Sequence, residues 1–328
     1  MPQNSKNLKT AIRKVPFVGG LLAKTYRKLS PLLPQPTRKP QYEMNDTTLT
    51  LNHSAGVFSC YTIRLEAILD YYRTYKRLPS IVDSSQQFAA YKDDLNEDIS
   101  NKFFDDCKKF QFTCNEGAIY LTNEKSEAQF CDYSKLNFLE IKPFVEKYFM
   151  PPENIRERIK YFESKMPWDY QSICGIRYRG RDKNLETNQP PYGDIIHKAV
   201  KLKHKFPHIK FLLQTDEKAF LYYAIRELGD DCYFHTITSG SKLGYISDYV
   251  AAIFILSRCK HLITTSGNGE LWVRILRGDN RRSIQWLSPK ESIYGIKNEN
   301  FDSNKRRFWI DSERIISPRI SQSSENGN

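Results

Sequence analysis

SICGIRYRGRDK, residues 172–183, is an apolar run that ends in four cations on alternate positions, Arg177, Arg179, Arg181 and Lys183, with one acid, Asp182, among them. Side chains two apart in a strand share a face, so a strand carried that far sets four like charges roughly 7 Å apart. Like charges at that spacing repel. Such a row gains stability only when an anion joins it.

The segments that follow share one rhythm. SICGIRY (172–178), IKFLLQ (209–214), CYFHTI (232–237), HLITT (261–265) and SIQWL (283–287) read as strands, and helices are expected near 193–205, 217–228, 245–258 and 269–277. Alternating β and α elements predict a parallel sheet wrapped by helices, an α/β fold. Ligands of such sheets collect beyond the carboxyl ends of the strands. Those ends carry Arg179 to Lys183, Thr215-Asp216-Glu217, Thr238-Ser239-Gly240 and Thr265-Ser266-Gly267-Asn268-Gly269. Cations, carboxylates, hydroxyls and a glycine loop opening a helix suit a nucleotide diphosphate. The loop offers backbone N–H groups and a helix dipole to a phosphate, and arginine holds two phosphate oxygens at once. Asp216 reads as a helix cap or as an acceptor for a base or ribose, and Asp248 as a polar contact in the cleft or on the surface.

Upstream, LTLNHSAGVFS (49–59) reads as a strand entering a Gly56 turn. A helix through Ile63, Leu65, Ile68, Leu69 and Tyr72 follows, then the strand SIVDS (80–84). Residues 86–133 are acidic and aromatic without clear periodicity. Two helices in 141–165 break at Met150-Pro151-Pro152, as prolines there require.

Composition bounds the rest. The 328 residues are 40% hydrophobic, enough for one large or two medium domains. Net charge is +12, but residues 1–40 hold nine Lys or Arg and no acid, so the remainder carries about +3. A body so weakly basic speaks against nucleic acid as partner. The tail, with Ile12, Val15, Val18, Leu22, Tyr26 and Leu29 at helical spacing, has the pattern of a helix lying on an anionic membrane surface, or of a flexible basic arm. Its apolar stretch is too short to span a bilayer. Seven scattered cysteines without a CxxC pair predict a reduced, cytoplasmic setting, and no spacing suggests a metal.

The stretch from Ile173 to Leu287 resembles the donor-binding half of the inverting GDP-fucose-dependent fucosyltransferases, the α-1,6 and nodulation-type enzymes, related to the α-1,2 and protein O-fucosyltransferases. GIRYRGRDK is similar to their H-x-R-x-x-D-type motif. Arg179 falls on its arginine, Asp182 and Lys183 on the following acid and lysine, Arg177 on the usual histidine, and Gly180 where the α-1,6 enzymes have a second arginine. TDEKAFLYYA and DYVAAIFILSRCKHLITTSGNGELW resemble two later segments, in the same order. The resemblance covers about a third of the chain.

It implies a GT-B type fold of two facing Rossmann-like domains. A basic tail and linker (1–40) would precede an acceptor-side domain (41–140), a donor domain (141–316) and a polar tail (317–328). It implies fucose transfer with inversion from GDP-fucose to a hydroxyl of a glycan or lipid-linked oligosaccharide, without cofactor or metal. Arg179, Lys183 and the loop amides would balance the leaving diphosphate, with Glu186 or Asp83 as base. Arg177, Arg179, Asp182, Asp216, Glu217, Asp248, Thr265, Ser266, Gly267 and Asn268 would bind the donor, with Gly56 and Phe58 on the acceptor side. The alternatives are another nucleotide sugar on the same fold, or a non-catalytic basic membrane- or nucleic-acid-binding protein.

Overall fold

The computed structural model describes residues 41–95, 97–105, 112, 119–122, 127–167, 169–180, 182–234, 242–288, 292–293, 296–297 and 308–312. The basic tail expected over 1–40, the segment Thr238-Ser239-Gly240, Arg181, Cys107 and Cys114 lie outside them, as does the polar tail expected over 317–328.

The chain opens on a three-stranded sheet, β1 (Tyr42–Met44), β2 (Thr48–Leu51) and β3 (Ile81–Asp83). β1 and β2 are antiparallel, while β2 and β3 run parallel across helix α1 (Val57–Tyr75), the βαβ opening expected from the pattern. α1 is buried on most of its circumference, from Val57 and Phe58 through Tyr61, Leu65 and Ile68 to Tyr71. A helix apolar on most sides belongs inside a core. Between β3 and residue 136 the described chain makes short 3-10 turns, with bulky aromatics turned inward (Phe88, Phe103, Tyr133). Helices α2 (Phe138–Tyr148) and α3 (Glu153–Glu163) follow, separated at Met150-Pro151-Pro152 as the prolines predict.

A six-stranded sheet forms the second half. Its parallel strands are β4 (Ile173–Tyr178), β5 (Lys210–Thr215), β6 (Cys232–Phe234), β7 (His261–Thr264) and β8 (Ser283–Leu287), and β11 (Phe308–Asp311) closes one edge antiparallel to β8. The short β9 (Ser292–Ile293) and β10 (Ile296–Lys297) pair with each other. Helices α4 (Tyr192–Lys205), α5 (Lys218–Leu228), α6 (Lys242–Arg258) and α7 (Asn268–Arg277) connect the parallel strands. Sheet order is β11-β8-β7-β4-β5-β6. The chain winds outward from β4 through β5 to β6, then returns to lay β7 on the other side of β4. The carboxyl ends of β4 and β7 therefore flank the switch point, where open α/β sheets bind ligands.

One hydrophobic core runs from β2, α1 and the aromatic turns through α2 and α3 into α6 and α7, and a smaller one lies between the sheet and α4 and α5. Trp272 of α7 joins the halves. It is fully buried, stacks against Tyr61 and Phe149 with ring centroids 5.1 and 4.8 Å away, and donates Nε1–H to Thr62 Oγ1 at 3.0 Å. Truncating so large a buried ring costs about 3–5 kcal/mol. Among the described residues no helix is long and apolar enough to cross a membrane.

Candidate functional site

The cation row does not survive as a row. β4 ends at Tyr178, and the chain turns into a 3-10 segment, Asp182–Leu185, so only Arg177 retains a strand position. The turn is set by Asp216 at the end of β5, whose Oδ1 accepts the Gly180 N–H at 3.1 Å. A Cβ at position 180 would fall 1.4 Å from Glu217 Oε2 and would require that side chain to move.

Each cation consequently meets a different environment. Arg177 is 4% exposed, donating Nε–H to Glu270 Oε1 at 2.7 Å, Nη1–H to Gln214 Oε1 at 2.6 Å and Nη2–H to the Tyr249 hydroxyl at 2.6 Å. Burial works to lower its pKa, but Glu270 and Tyr249 more than offset this and raise it. Gly269 leaves room for this cluster, since a Cβ there would stand 2.6 Å from Arg177 Nη2. Arg177, expected to contact the donor, ties β4 to β5, α6 and α7. Arg179 differs. Its side chain is 32% exposed and its Nε lies 3.7 Å from Asp216 Oδ2; burial raises the pKa of Tyr91 in the 89–91 turn, and Arg179 pulls weakly the other way. Among the described residues of the row, it is the cation that keeps a face to solvent.

Lys183 is 4% exposed, over the Phe130 ring at 4.8 Å, and donates to Glu186 Oε2 at 2.7 Å and Gln129 Oε1 at 3.0 Å. Glu186, a candidate base, is thus tied to a cation. The other, Asp83, ends β3 and accepts the Ser85 N–H at 2.9 Å. Asp182 lies within the 3-10 turn.

The glycine loop opens α7 as expected, but side chains from residues 129–133 cover it. The Tyr133 hydroxyl accepts the Gly267 N–H at 3.0 Å and donates to the Gln129 carbonyl at 2.9 Å, while Asn268 Nδ2 donates to Gln129 Oε1 at 3.2 Å. Ser266 donates to the Trp286 carbonyl at 2.8 Å. Thr265 is fully buried, and its Oγ1 has no hydrogen-bond partner. Glu217 caps α5 and shares a hydrogen bond with the Tyr192 hydroxyl. Gln214 Nε2, Glu217 Oε2, Thr265 Oγ1 and Glu270 Oε2 are all buried without partners. These four, of ten such atoms among the described residues, lie at the carboxyl ends of β5 and β7 and the start of α7.

Asp248, expected either in the cleft or on the surface, is only 1% exposed on α6 and pairs at 2.5 Å with Arg158 of α3; burial raises its pKa against that cation's pull. The pair holds two helices together. Phe58, expected on the acceptor side, is buried, edge-on to Tyr249 with ring centroids 5.1 Å apart. Gly56 is exposed at the start of α1, with open space around it.

The site also contains residues that pattern reading missed: Gln129, Tyr133, Gln214, Tyr249 and Tyr91. Gln214 and Tyr249 neighbour residues singled out at a strand end and on a helix, whereas nothing local distinguishes Gln129 or Tyr133. Among the described residues no group of three or more His, Cys, Asp or Glu could hold a metal ion.

No family model and no curated protein matches the sequence. Solved structures do. A crystal structure of the fucosyltransferase NodZ from Bradyrhizobium and its selenomethionine form superpose with TM-scores of 0.50 and 0.51 at 12% and 13% identity, covering 82% of this chain and 100% and 99% of theirs. A NodZ α-1,6-fucosyltransferase structure soaked with GDP-fucose aligns with a TM-score of 0.37 and 17% identity over 54% of each chain, so this chain spans about half the length of that structure. At such identities the likeness concerns the fold, which is α/β of the GT-B type seen in the fucosyltransferase NodZ.

Proposed function

We propose that the chain is an inverting, metal-independent glycosyltransferase that moves fucose from GDP-fucose to a hydroxyl of a glycan or lipid-linked oligosaccharide in the cytoplasm. The observation that carries the reading is a NodZ-type fold with a half-exposed arginine, Arg179, at the carboxyl end of β4 beside the switch point. Its guanidinium meets the β-phosphate and gains interaction energy as the leaving diphosphate gains charge. Asp216 and Glu217, at the next strand end, receive the nucleoside. Lys183, Asn268 and the Gly267 amide meet the diphosphate once Gln129 and Tyr133 give way. Residues 41–140 face the acceptor, residues 141–316 hold the donor, and the basic tail holds the enzyme on an anionic membrane surface.

Calorimetric titration with GDP, UDP, ADP and CMP tests the donor. GDP alone should bind tightly, and Arg179→Ala should weaken it by roughly ten- to a hundredfold, the worth of a charged hydrogen-bond partner. Arg179→Lys should rescue poorly, because a point charge does not copy the fork. A folded Arg179→Ala protein that binds GDP like wild type removes the donor site from this strand end, and tighter UDP binding would point to another nucleotide sugar.

A further inference from the structure

The acceptor hydroxyl of a sugar transfer must give up a proton; of the two carboxylates first considered for the task, Glu186 pairs with Lys183 and Asp83 accepts one hydrogen bond from the Ser85 amide. We propose that His53, in the loop between β2 and α1, is the catalytic base that takes this proton; the assignment rests on the fucosyl-transfer reading above.

His53 Nε2 lies 2.9 Å from Ser59 Oγ in the first turn of α1, which fixes the ring. Ser59 and Thr62 are three residues apart and share a helix face, with Cβ atoms about 5–6 Å apart. Thr62 Oγ1 donates to Asn268 Oδ1 at 2.9 Å, and Asn268 in turn joins Lys183 on Gln129. The His53–Ser59 pair therefore lies one helical turn from Thr62, the partner of Asn268.

The loop's other flank approaches Arg179. Ser54 Oγ accepts the Ala89 N–H at 2.9 Å, and the Tyr91 hydroxyl, within electrostatic reach of Arg179, accepts the Val57 N–H at 3.2 Å. The turn making both contacts starts at Phe88, a fully buried aromatic held at φ 63°. A bulky residue adopts that backbone only where its surroundings enforce it, so the brace on the His53 loop is a fixed part of the fold.

The ionisable groups packed on the loop are Cys60 from α1, with its thiol against the His53 carbonyl, Tyr91 from the 89–91 turn, and Glu43 of β1 through Asn52. Burial lowers the His53 pKa below the ordinary 6.5, leaving the imidazole neutral at pH 7. In the tautomer that donates Nε2–H to Ser59, the Nδ1 lone pair is the base. The acceptor O–H proton passes to Nδ1 and the acceptor oxygen bonds to C1 of fucose. The C1–O bond to the β-phosphate breaks, and its electron pair leaves with GDP.

The test uses the full chain, with water as acceptor and GDP-fucose as donor, and follows fucose and GDP release alongside GDP binding by calorimetry. His53→Gln should keep GDP affinity within about twofold and lose about a hundredfold or more in turnover, the usual share of a general base. The wild-type rate should fall on acidification with an apparent pKa below 6.5, a limb the variant lacks. Added imidazole should partly restore His53→Ala. A His53→Gln protein with wild-type turnover and an unchanged acid limb overturns the assignment, as does a wild type that binds GDP but never releases fucose. A wild type that binds no GDP fails the fucosyl-transfer reading itself, and the base falls with it.

Discussion

Replacing Arg177 with methionine should damage the fold before it damages binding. Its guanidinium is the charged partner of Glu270, a carboxylate with 0% exposure at 2.7 Å whose other oxygen has no hydrogen-bond partner. Removing the cation strands a buried charge, at a cost of about 3–5 kcal/mol, and takes away the hydrogen bonds to Gln214 and Tyr249. For a chain of 328 residues each kcal/mol shifts Tm by about 1.5 °C, so Arg177→Met should melt roughly 4–7 °C below wild type by circular dichroism. Removing both charges in Arg177→Met/Glu270→Leu should recover most of the loss, because well-packed apolar groups replace a buried ion pair at little cost. A single variant melting within about 2 °C of wild type would refute this account of the cluster. A double variant no better than the single would show that the stranded carboxylate is not the cause.

Two further outcomes are expected. Glu66 on α1 has its pKa pushed up to about 7 by burial, reinforced by Glu127 and opposed by Arg73. Between its unfolded value near 4.5 and about 7 the folded state holds the extra proton, so stability falls as pH rises through that window. Glu66→Gln should flatten the dependence and melt higher than wild type at pH 8; an unchanged slope between pH 5 and 8 would count against it. Deleting residues 1–40, with nine cations worth on the order of 1 kcal/mol each near an anionic surface, should abolish sedimentation with phosphatidylserine vesicles and leave GDP binding intact. Equal sedimentation of truncated and full-length protein would exclude the tail as the anchor.

The strands of the second half were legible because each is a short apolar run bounded by turn residues, and burial on both faces of a parallel sheet demands that composition. The break at Pro151-Pro152 was legible for an equally local reason. Residues 86–135 were not, since their order comes from distant partners: Tyr61 donates to the Phe103 carbonyl, and the Tyr133 N–H donates to Gln285. The site shows the same division. Arg179 and Asp216 follow from their positions at strand ends. The burial of Arg177, Lys183 and Asp248 does not, because Glu270, Gln129 and Arg158 lie 93, 54 and 90 residues away. Charge spacing along the chain gives no sign of which cation will be neutralised from elsewhere.

The single core spanning α1, α2, α3, α6 and α7 bears on how such a protein can diversify. Helix α7 begins at the candidate site, while Trp272 along the same helix packs among the rings of Tyr61 and Phe149. A first half taken from another protein would have to reproduce that aromatic socket to seat the helix. Wholesale exchange of halves is thereby barred, and variation falls to exposed positions such as Gly56, where substitutions leave the shared interior untouched.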